Sequence, residues 1–582
     1  MTAPDWVRRP LAMLLVACCL LGCSSLPEDG PVKAVEQAKD TSALEPPYFR
    51  PPGPRKGDTM EAIVRGFLAA MEANPVDIRA AQSFLTEGAA DSWQPGQRTL
   101  IYQATALESG TSAVTVRLTG ISRIDAQGRR ASAPIGSRDL RLRLVQENGE
   151  WRIATPPNAL IVGAAFFRST FAPYKVYFYD NTGTGLVPAL VHLPRGEQTA
   201  SNLVRALLNG PDPVLRAVTS SAFPQRTELD LAVTVTRAGV ADVPLSPNVL
   251  RLSPKEVSRA MVQLAATLRA VPGITRITLS VDGVPVPLAD GRTGVDIDEG
   301  ADLAPYGRTT SRTPVGVRNG HLVRLDDRQV RAVNGPLGRR GYDIRTVAQT
   351  RAGDEVAAVS AGGTRVYAAA MTGRTPPKVV STGIDFARPV IDRAGQRWLL
   401  DRNGGAARVW IGGAVVRETR IPGVSGVSVR QLAVSPDGVR LASLVDTSRG
   451  PRVVLFTVVC DAAGRVKRIA RATRLDVGEA AAGAEIGRAV DLGWVDEVTM
   501  VVLSAPTRSS SRLTAILVDG AAADSFGQRD DLDVAGVQLL VGAVPDAEVG
   551  VLGANGQLHL SDSAGKWLAP LTEKFTGVAY PG

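Results

Sequence analysis

Residues 253–286 read SPKEVSRAMVQLAATLRAVPGITRITLSVDGVPV, and this stretch defines the best-marked fold element of the chain. It opens with Ser253 and, three residues later, Glu256, which is the pattern of a helix capping box. Apolar residues then recur at helical spacing, at Val257, Ala260, Met261, Leu264 and Leu268. The Pro-Gly pair at 272–273 ends the helix, and the apolar run 274–281 predicts a strand. The stretch therefore predicts a helix followed by a buried strand.

The residues before this stretch complete the same unit. KVYFYD (175–180) and LVPALVHLP (186–194) have the composition of strands. The segment 201–209 then predicts a helix with Leu203 and Leu207 on one apolar face, and Gly-Pro follows it. LVRALLNGPDP, SAFP and the stretch quoted above make residues 165–305 resemble the GerMN domain of spore-germination lipoproteins. That resemblance implies a compact α/β fold.

The N-terminal residues have the order of a bacterial export signal. Two arginines precede the apolar run 10–21, which is shorter than the ~20 residues of a membrane-spanning helix. The run ends in Leu20-Leu21-Gly22-Cys23, which resembles a lipobox. We expect residues 1–22 to be a lipoprotein signal peptide cleaved after Gly22. Cys23 is then expected to carry S-diacylglycerol and an N-acyl group (palmitate), anchoring the chain at the outer face of the cell membrane.

Composition is that of an exported globular protein. Apolar residues make up 44% of the 582 residues and charged residues 21%, with a formal net charge of +9. The charges are scattered, and export excludes nucleic acid as a partner, although anionic cell-wall polymers stay compatible. If Cys18 and Cys19 leave with the signal peptide and Cys23 carries lipid, Cys460 remains alone and no intramolecular disulfide is expected. We expect Cys460 to be a buried small hydrophobic residue.

Two further regions flank the GerMN-like unit. Residues 23–57 are rich in proline and predict an extended, lipidated tether. Residues 58–160 begin with a helical pattern, continue as strands and end in NGEWRIATPP, which resembles the α+β cone fold of nuclear transport factors. Residues 314–582 show short strands and turns at Asn319-Gly320, 361–363, 393–395, Ser435-Pro436-Asp437-Gly438 and Asn555-Gly556. The first four turns recur every 32 to 42 residues, which predicts an all-β propeller resembling TolB or WD propellers.

The sequence shows no recognisable catalytic or metal-binding motif, which favours a protein that is not an enzyme. His192, His321 and His559 are far apart without metal-ligand spacing, and each is expected to be structural. No catalytic residue, metal site or cofactor is predicted. An acidic run with Asp296, Asp298 and Asp302 has the alternation of a calcium loop but lacks its glutamate, so a solvated acidic turn is the preferred interpretation.

Four dispersed tryptophans leave two interpretations open. They could form a stacking platform for cell-wall sugars or pack inside the propeller blades, and we favour packing for Trp398, Trp410, Trp494 and Trp567.

Taken together, the lipobox, tether, cone fold, GerMN unit and propeller resemble the LpqB family of actinobacterial lipoproteins. The resemblance implies an accessory role in a two-component system that controls cell-wall growth and division. The implied partner is the extracellular domain of an MtrB-like membrane sensor kinase, whose signalling the lipoprotein modulates by protein–protein contact. The alternative is a lipoprotein that binds or hydrolyses cell-wall polysaccharide.

Overall fold

A curved, mainly antiparallel sheet with helices on one face forms the first domain, and its β1 and β6 strands pair in parallel. The computed structural model describes residues 49–131, 135–303, 310–339, 341–448, 450–475, 488–527, 529–543 and 547–582. The sheet order is β5-β4-β3-β1-β6, and β2 also pairs with β3. The elements of this domain are α1 Met60–Ala70, α2 Arg79–Gln82, α3 Glu87–Ser92, β1 Arg98–Tyr102, β2 Ala104–Ser109, β3 Ala113–Asp125, β4 Ile135–Glu147, β5 Glu150–Ile153 and β6 Leu160–Gly163.

Local sequence explains the shape of this domain. Thr59 caps α1 by accepting a hydrogen bond from the Ala62 N–H. Strand β3 pairs with β2 through its first half and with β1 through its second half. The change occurs at Gly120, whose φ of 60° is readily adopted only by glycine. The bend at Gly120 curves the sheet around the helices, as the predicted cone fold requires.

The second domain is the α/β unit predicted from residues 165–305. Its two sheets have the orders β8-β7-β9 and β10-β11-β12-β13, with β14 beside β12, and α6 contacts both β7 and β12. Leu203, Leu207 and Leu264 are completely buried in the core. The elements are α4 Ala164–Thr170, β7 Phe171–Asp180, β8 Leu186–Pro194, α5 Thr199–Leu208, β9 Thr219–Ser220, β10 Thr234–Val235, β11 Val240–Pro244, α6 Pro254–Leu268, β12 Arg276–Val281, β13 Val284–Pro285 and β14 Gly294–Asp296.

The capping box that opens the quoted stretch is formed. The Ser253 N–H donates to Glu256 Oε2 at 2.8 Å, and the Glu256 N–H donates to Ser253 Oγ at 3.4 Å. The apolar face of α6 then lies against the sheets, with Met261 and Leu268 buried. The sequence pattern and the local structure agree over this whole segment.

Six sheets of three or four strands follow within the described residues and form the propeller. Blade 1 contains β36 and β15–β17, blade 2 β18–β21, blade 3 β22–β25, blade 4 β26–β29, blade 5 β30–β32 and blade 6 β33–β35. The strands are β15 Val315–Arg318, β16 His321–Asp326, β17 Gln329–Ala332, β18 Ile344–Gln349, β19 Glu355–Ser360, β20 Arg365–Ala370, β21 Lys378–Thr382, β22 Val390–Ile391, β23 Arg397–Asp401, β24 Arg408–Gly412, β25 Val416–Glu418, β26 Val429–Val434, β27 Arg440–Thr447, β28 Gly450–Cys460, β29 Val466–Arg474, β30 Ala489–Trp494, β31 Thr499–Ser504, β32 Arg512–Leu517, β33 Gly536–Leu540, β34 Val549–Gly553, β35 Leu558–Ser561 and β36 Gly577–Ala579.

The ring closes because the last strand joins the first sheet. β36 pairs with β15, and the inner strands β36, β18, β22, β26, β30 and β33 contact one another in a complete circle. The predicted multidomain class, with a cone fold, a GerMN unit and an all-β propeller, is confirmed. In the part of the chain that the structure describes, none of the helices has the length and apolar character needed to cross a membrane.

The turns used to predict blade length belong to two kinds. Arg393-Ala394-Gly395 and the turn at 435–438 join the first and second strands of blades 3 and 4. The turns at 319–320 and 361–363 instead join the two middle strands of the four-stranded blades 1 and 2. The turn at 555–556 joins the second and third strands of blade 6. The 32- to 42-residue recurrence therefore mixes non-equivalent positions.

Candidate functional site: the junction of the three domains

His192 lies where all three domains meet. Its backbone N–H donates to the Gly128 carbonyl of the first domain at 2.7 Å. Its Nε2 lies 2.7 Å from Asp519 Oδ2 of the propeller, and its ring faces Phe167 at 5.9 Å. The side chains of His192 and Asp519 are 4% and 12% exposed, so the contact is largely shielded from water. His192 therefore links the three domains through its backbone and its side chain.

The surroundings of Asp519 favour its charged form. Burial acts to raise the pKa of this carboxyl, but the facing His192, the Ala521 N–H and nearby Arg130 together hold it below its ordinary value. A carboxylate in this position attracts the imidazole more strongly than it would in water because the surrounding protein has a lower dielectric constant. The contact thus fixes the GerMN domain against blade 5.

An ion pair strengthens the same junction. Lys175 Nζ of β7 lies 2.7 Å from Glu497 Oε2 and 3.3 Å from Asp496 Oδ1. Burial acts to lower the pKa of Lys175, but these two carboxylates outweigh it and leave the pKa above its ordinary value. Lys175 therefore stays charged at the junction and holds the turn after β30.

The turn at 435–438 has a part in docking as well as in chain reversal. Its Asp437 binds Arg440 Nη1 at 2.5 Å, and Arg440 Nη2 donates to the Pro188 carbonyl of the GerMN domain at 2.6 Å. Arg393 of the neighbouring blade donates to the Thr184 carbonyl at 3.2 Å. A Cβ on Gly185 would lie 1.9 Å from Arg393 Nη1, which shows how closely these surfaces approach.

The centre of the propeller contains a cluster of polar side chains, which we call the polar hub: Gln431, Asp491 and Gln538 are buried, and Arg388 is half-buried. Arg388 Nη2 binds both carboxylate oxygens of Asp491 at 3.0 and 2.9 Å. Asp491 also accepts the Leu539 N–H at 2.8 Å. The side-chain amides of Gln431 and Gln538 donate to the Arg388 and Val578 carbonyls. Each of these bonds joins different blades, so the hub closes the ring from within.

The inner strands carry a sequence pattern that marks the hub and that the spacing of the turns does not show. Four inner strands shift register at Ile344/Thr346, Val429/Gln431, Ala489/Asp491 and Gly536/Gln538. In each strand a polar residue after the bulge precedes valine or leucine. A β-bulge redirects the following side chain, and here that side chain is buried in every case. Polar-aliphatic pairs at these points mark equivalent blade positions better than the turns do.

The other candidate residues do not assemble into one site. His321 and His559 lie on β16 and β35, in blades 1 and 6. Trp398 and Trp494 are buried in blade interiors, as the packing interpretation predicts. Trp410 is half-buried against Phe386.

Trp567 is also half-buried and donates through Nε1 to the Asp530 carbonyl at 2.8 Å. With two tryptophans in the core and two half-buried in separate blades, the four rings do not form a common platform.

The acidic run is engaged with arginines. Asp296 lies 3.6 Å from Arg276, and Asp298 lies 3.4 Å from Arg269. Asp302 is exposed in a short 3₁₀ turn. Over the described ranges, no group of three or more His, Cys, Asp or Glu side chains is placed to hold a metal ion.

Cys460 differs from its prediction as a buried residue. It is half-buried at the end of β28, where it lines a cavity of about 300 Å³ between the GerMN domain and the propeller. Burial, with the nearby Asp392, Asp461 and Asp180, raises the pKa of its thiol to about 12. The strand end opens onto the cavity, which explains the partial exposure. Cys23 and Gly22 lie outside the described residues, so lipid attachment and cleavage stay predictions.

Comparison with known proteins assigns each domain. Family models match for "Lipoprotein LpqB, N-terminal domain" over residues 53–168, "Sporulation and spore germination" over residues 175–287 and "Lipoprotein LpqB beta-propeller domain" over residues 320–547. The Lipoprotein LpqB of Cutibacterium acnes is 27% identical, covering 96% of this chain and 97% of the relative. That of Streptomyces avermitilis is 25% identical, covering 97% of both.

Among solved structures, TolB from Acinetobacter baumannii is 13% identical, and the match covers 58% of this chain and 87% of that chain, with a TM-score of 0.35. Two of the models are specific to LpqB, and both relatives align with this chain over nearly its whole length. The chain belongs to the LpqB family of lipoproteins.

Proposed function

We propose that this chain is an accessory lipoprotein, anchored by lipid on Cys23 at the outer face of the cell membrane, that modulates an MtrB-like sensor kinase by contact with its extracellular domain. The observation that carries the proposal is the junction at His192, which holds three domains in one arrangement. A fixed arrangement presents one composite surface and lowers the entropy lost on binding a partner. Such a construction suits recognition, and the proposal includes no catalytic step.

Membrane attachment contributes to the proposed mechanism. Two proteins confined to one membrane face meet at a raised effective concentration, so a weak contact suffices. The lipobox with Cys23 and the proline-rich tether supply this confinement in the proposal. The lipid would hold the chain near the kinase, and the rigid body would supply the contact.

Photo-crosslinking in living cells, combined with complementation of a deletion strain, tests the proposal. A photoreactive amino acid placed at Ile384 or Val415, which are 63% and 70% exposed on the propeller, is compared with one at Leu231 of the GerMN domain. We expect at least one position to capture the kinase. We also expect Cys23→Ser to abolish both capture and complementation, and an unrelated lipoprotein signal to restore them.

Catalysis is tested separately by His321→Gln and His559→Gln, which avoid the junction. Both variants should complement at normal abundance. Loss of complementation by either variant, while it stays folded and membrane-bound, would argue for chemistry. Full complementation by a secreted form that never contacts the kinase would contradict the contact mechanism.

A further inference from the structure

A cleft of about 470 Å³ opens beside His192, bounded by all three domains. Arg123, Arg129 and Arg130 of the first domain line one wall. Asp212 of the GerMN domain and Thr457 of the propeller line the others. We call this space the junction cleft. Its volume falls within the range of about 300–1,000 Å³ that small-molecule sites occupy, and domain interfaces are where such sites concentrate.

Several charged side chains that line the cleft already have partners. Arg440 is paired with Asp437 at 2.5 Å, and Asp519 is hydrogen-bonded to His192 at 2.7 Å, with Arg130 nearby. Neither contact involves the other two arginines of the first-domain wall.

Two arginines on that wall have no anionic partner. Arg123 is exposed, and Arg129 Nη2 donates to the neutral Gly210 carbonyl at 2.8 Å. Within the described ranges, no carboxylate lies at ion-pair distance from either guanidinium. Guanidinium groups bind carboxylates and phosphates through paired N–H donors. The wall is therefore suited to an anionic group.

Two carboxylates of the cleft, Asp125 and Asp212, are placed to accept hydrogen bonds from the hydroxyl groups of a ligand. Asp125 Oδ1 accepts the N–H groups of Gln127 and Arg129, both at 2.9 Å. Asp212 Oδ1 accepts the N–H groups of Val214 and Leu215 at 2.7 and 2.9 Å. These bonds fix the orientation of each carboxylate through one oxygen, and its second oxygen is an acceptor for a ligand hydroxyl.

We propose that the junction cleft binds an acidic sugar or a sugar phosphate. Arg123 and Arg129 bind the carboxylate or phosphate, and Asp125 and Asp212 accept the sugar hydroxyls. A ligand bound in the cleft contacts all three domains. The presence of that ligand outside the membrane therefore stabilises their arrangement. This site goes beyond the proposed kinase contact and does not depend on it.

Isothermal titration calorimetry of the full chain in detergent tests the site, with glucuronate, glucose 6-phosphate and uncharged glucose as probes. We expect at least one charged sugar to bind at low salt and glucose to bind at least about 10-fold more weakly, because one charge-assisted pair has that weight. Arg123→Gln should weaken the charged sugar by about 10-fold or more. The exposed Arg365→Gln in blade 2 serves as the matched control and should leave the affinity unchanged.

Arg123→Gln should not destabilise the fold, because Arg123 is exposed and has no bond to another domain among the described residues. A thermal melt of Arg123→Gln should match that of the unmodified chain. The proposal is overturned if neither charged sugar binds, if glucose binds as tightly as the charged sugar that does, or if Arg123→Gln binds that sugar with unchanged affinity.

Discussion

The interior of the GerMN domain and the centre of the propeller are stabilised by different interactions. The GerMN core is built from aliphatic side chains such as Leu203, Leu207 and Leu264, all completely buried. The propeller centre instead contains the polar hub, in which Arg388 and Asp491 form an ion pair with 18% and 7% of their side chains exposed. The hydrophobic effect does not depend on the orientation of the buried groups. A buried ion, in contrast, is stable only beside a specific partner of opposite charge. The comparison predicts different responses to substitution.

The largest effect is expected in the polar hub. Asp491→Ala leaves Arg388 without its anion and removes the acceptor of the Leu539 N–H. Losing one partner of a buried pair costs about 3–5 kcal/mol of folding free energy. Chemical denaturation measures this loss.

The control for that loss is the Arg408–Glu418 pair of blade 3, whose side chains are 48% and 49% exposed. Glu418→Ala should change stability far less, because water already screens that pair. Equal losses for Asp491→Ala and Glu418→Ala would show that the hub is not a buried electrostatic element.

The GerMN core should respond through cavity formation. Leu207→Ala is expected to cost about 2–5 kcal/mol, because a completely buried leucine leaves an apolar void. Arg205→Ala, on the exposed side of the same helix, should stay within about 0.5 kcal/mol. Thermal melts of both variants give the comparison. If Leu207→Ala were as mild as Arg205→Ala, the assignment of the apolar face of α5 would be wrong.

The GerMN core differs from the domain junction and the polar hub in how far the sequence predicts it. Leu207 could be placed because its helix shows its apolar periodicity within ten residues. His192 was expected on a strand with a structural role, but its partner Asp519 lies 327 residues away. No local pattern encodes a contact at that distance. The hub was missed for a related reason, because a buried polar residue interrupts the apolar runs that mark inner strands.

Acid should weaken the domain junction through Asp519. Its pKa is lowered in the folded chain from an ordinary value of 3.8. The carboxylate therefore contributes stability that is fully present above pH 3.8 and is lost as pH falls through the lower folded pKa. Asp519→Asn keeps the shape and removes the charge, so it should cost about 1–3 kcal/mol at pH 6.

Denaturation of both forms between pH 2.5 and 6 measures this difference. The difference in unfolding free energy between the unmodified chain and Asp519→Asn should become smaller below pH 3.8. A difference that grows as the pH falls would contradict the direction of the pKa shift of Asp519. A difference of zero at every pH would mean that Asp519 does not hold the junction.

The central claim is that the contacts of His192 fix three domains in one arrangement. Pulsed electron-spin distance measurement tests it directly, with spin labels at Ala106→Cys on the first domain and Val415→Cys on the propeller, and with Cys18, Cys19, Cys23 and Cys460 replaced by alanine. Both label positions are exposed. We expect one narrow distance distribution when His192 is present and a broader one in His192→Ala, which loses the Asp519 contact but keeps the backbone bond to Gly128. A broad distribution in the presence of His192, or one equally narrow in His192→Ala, would contradict the claim.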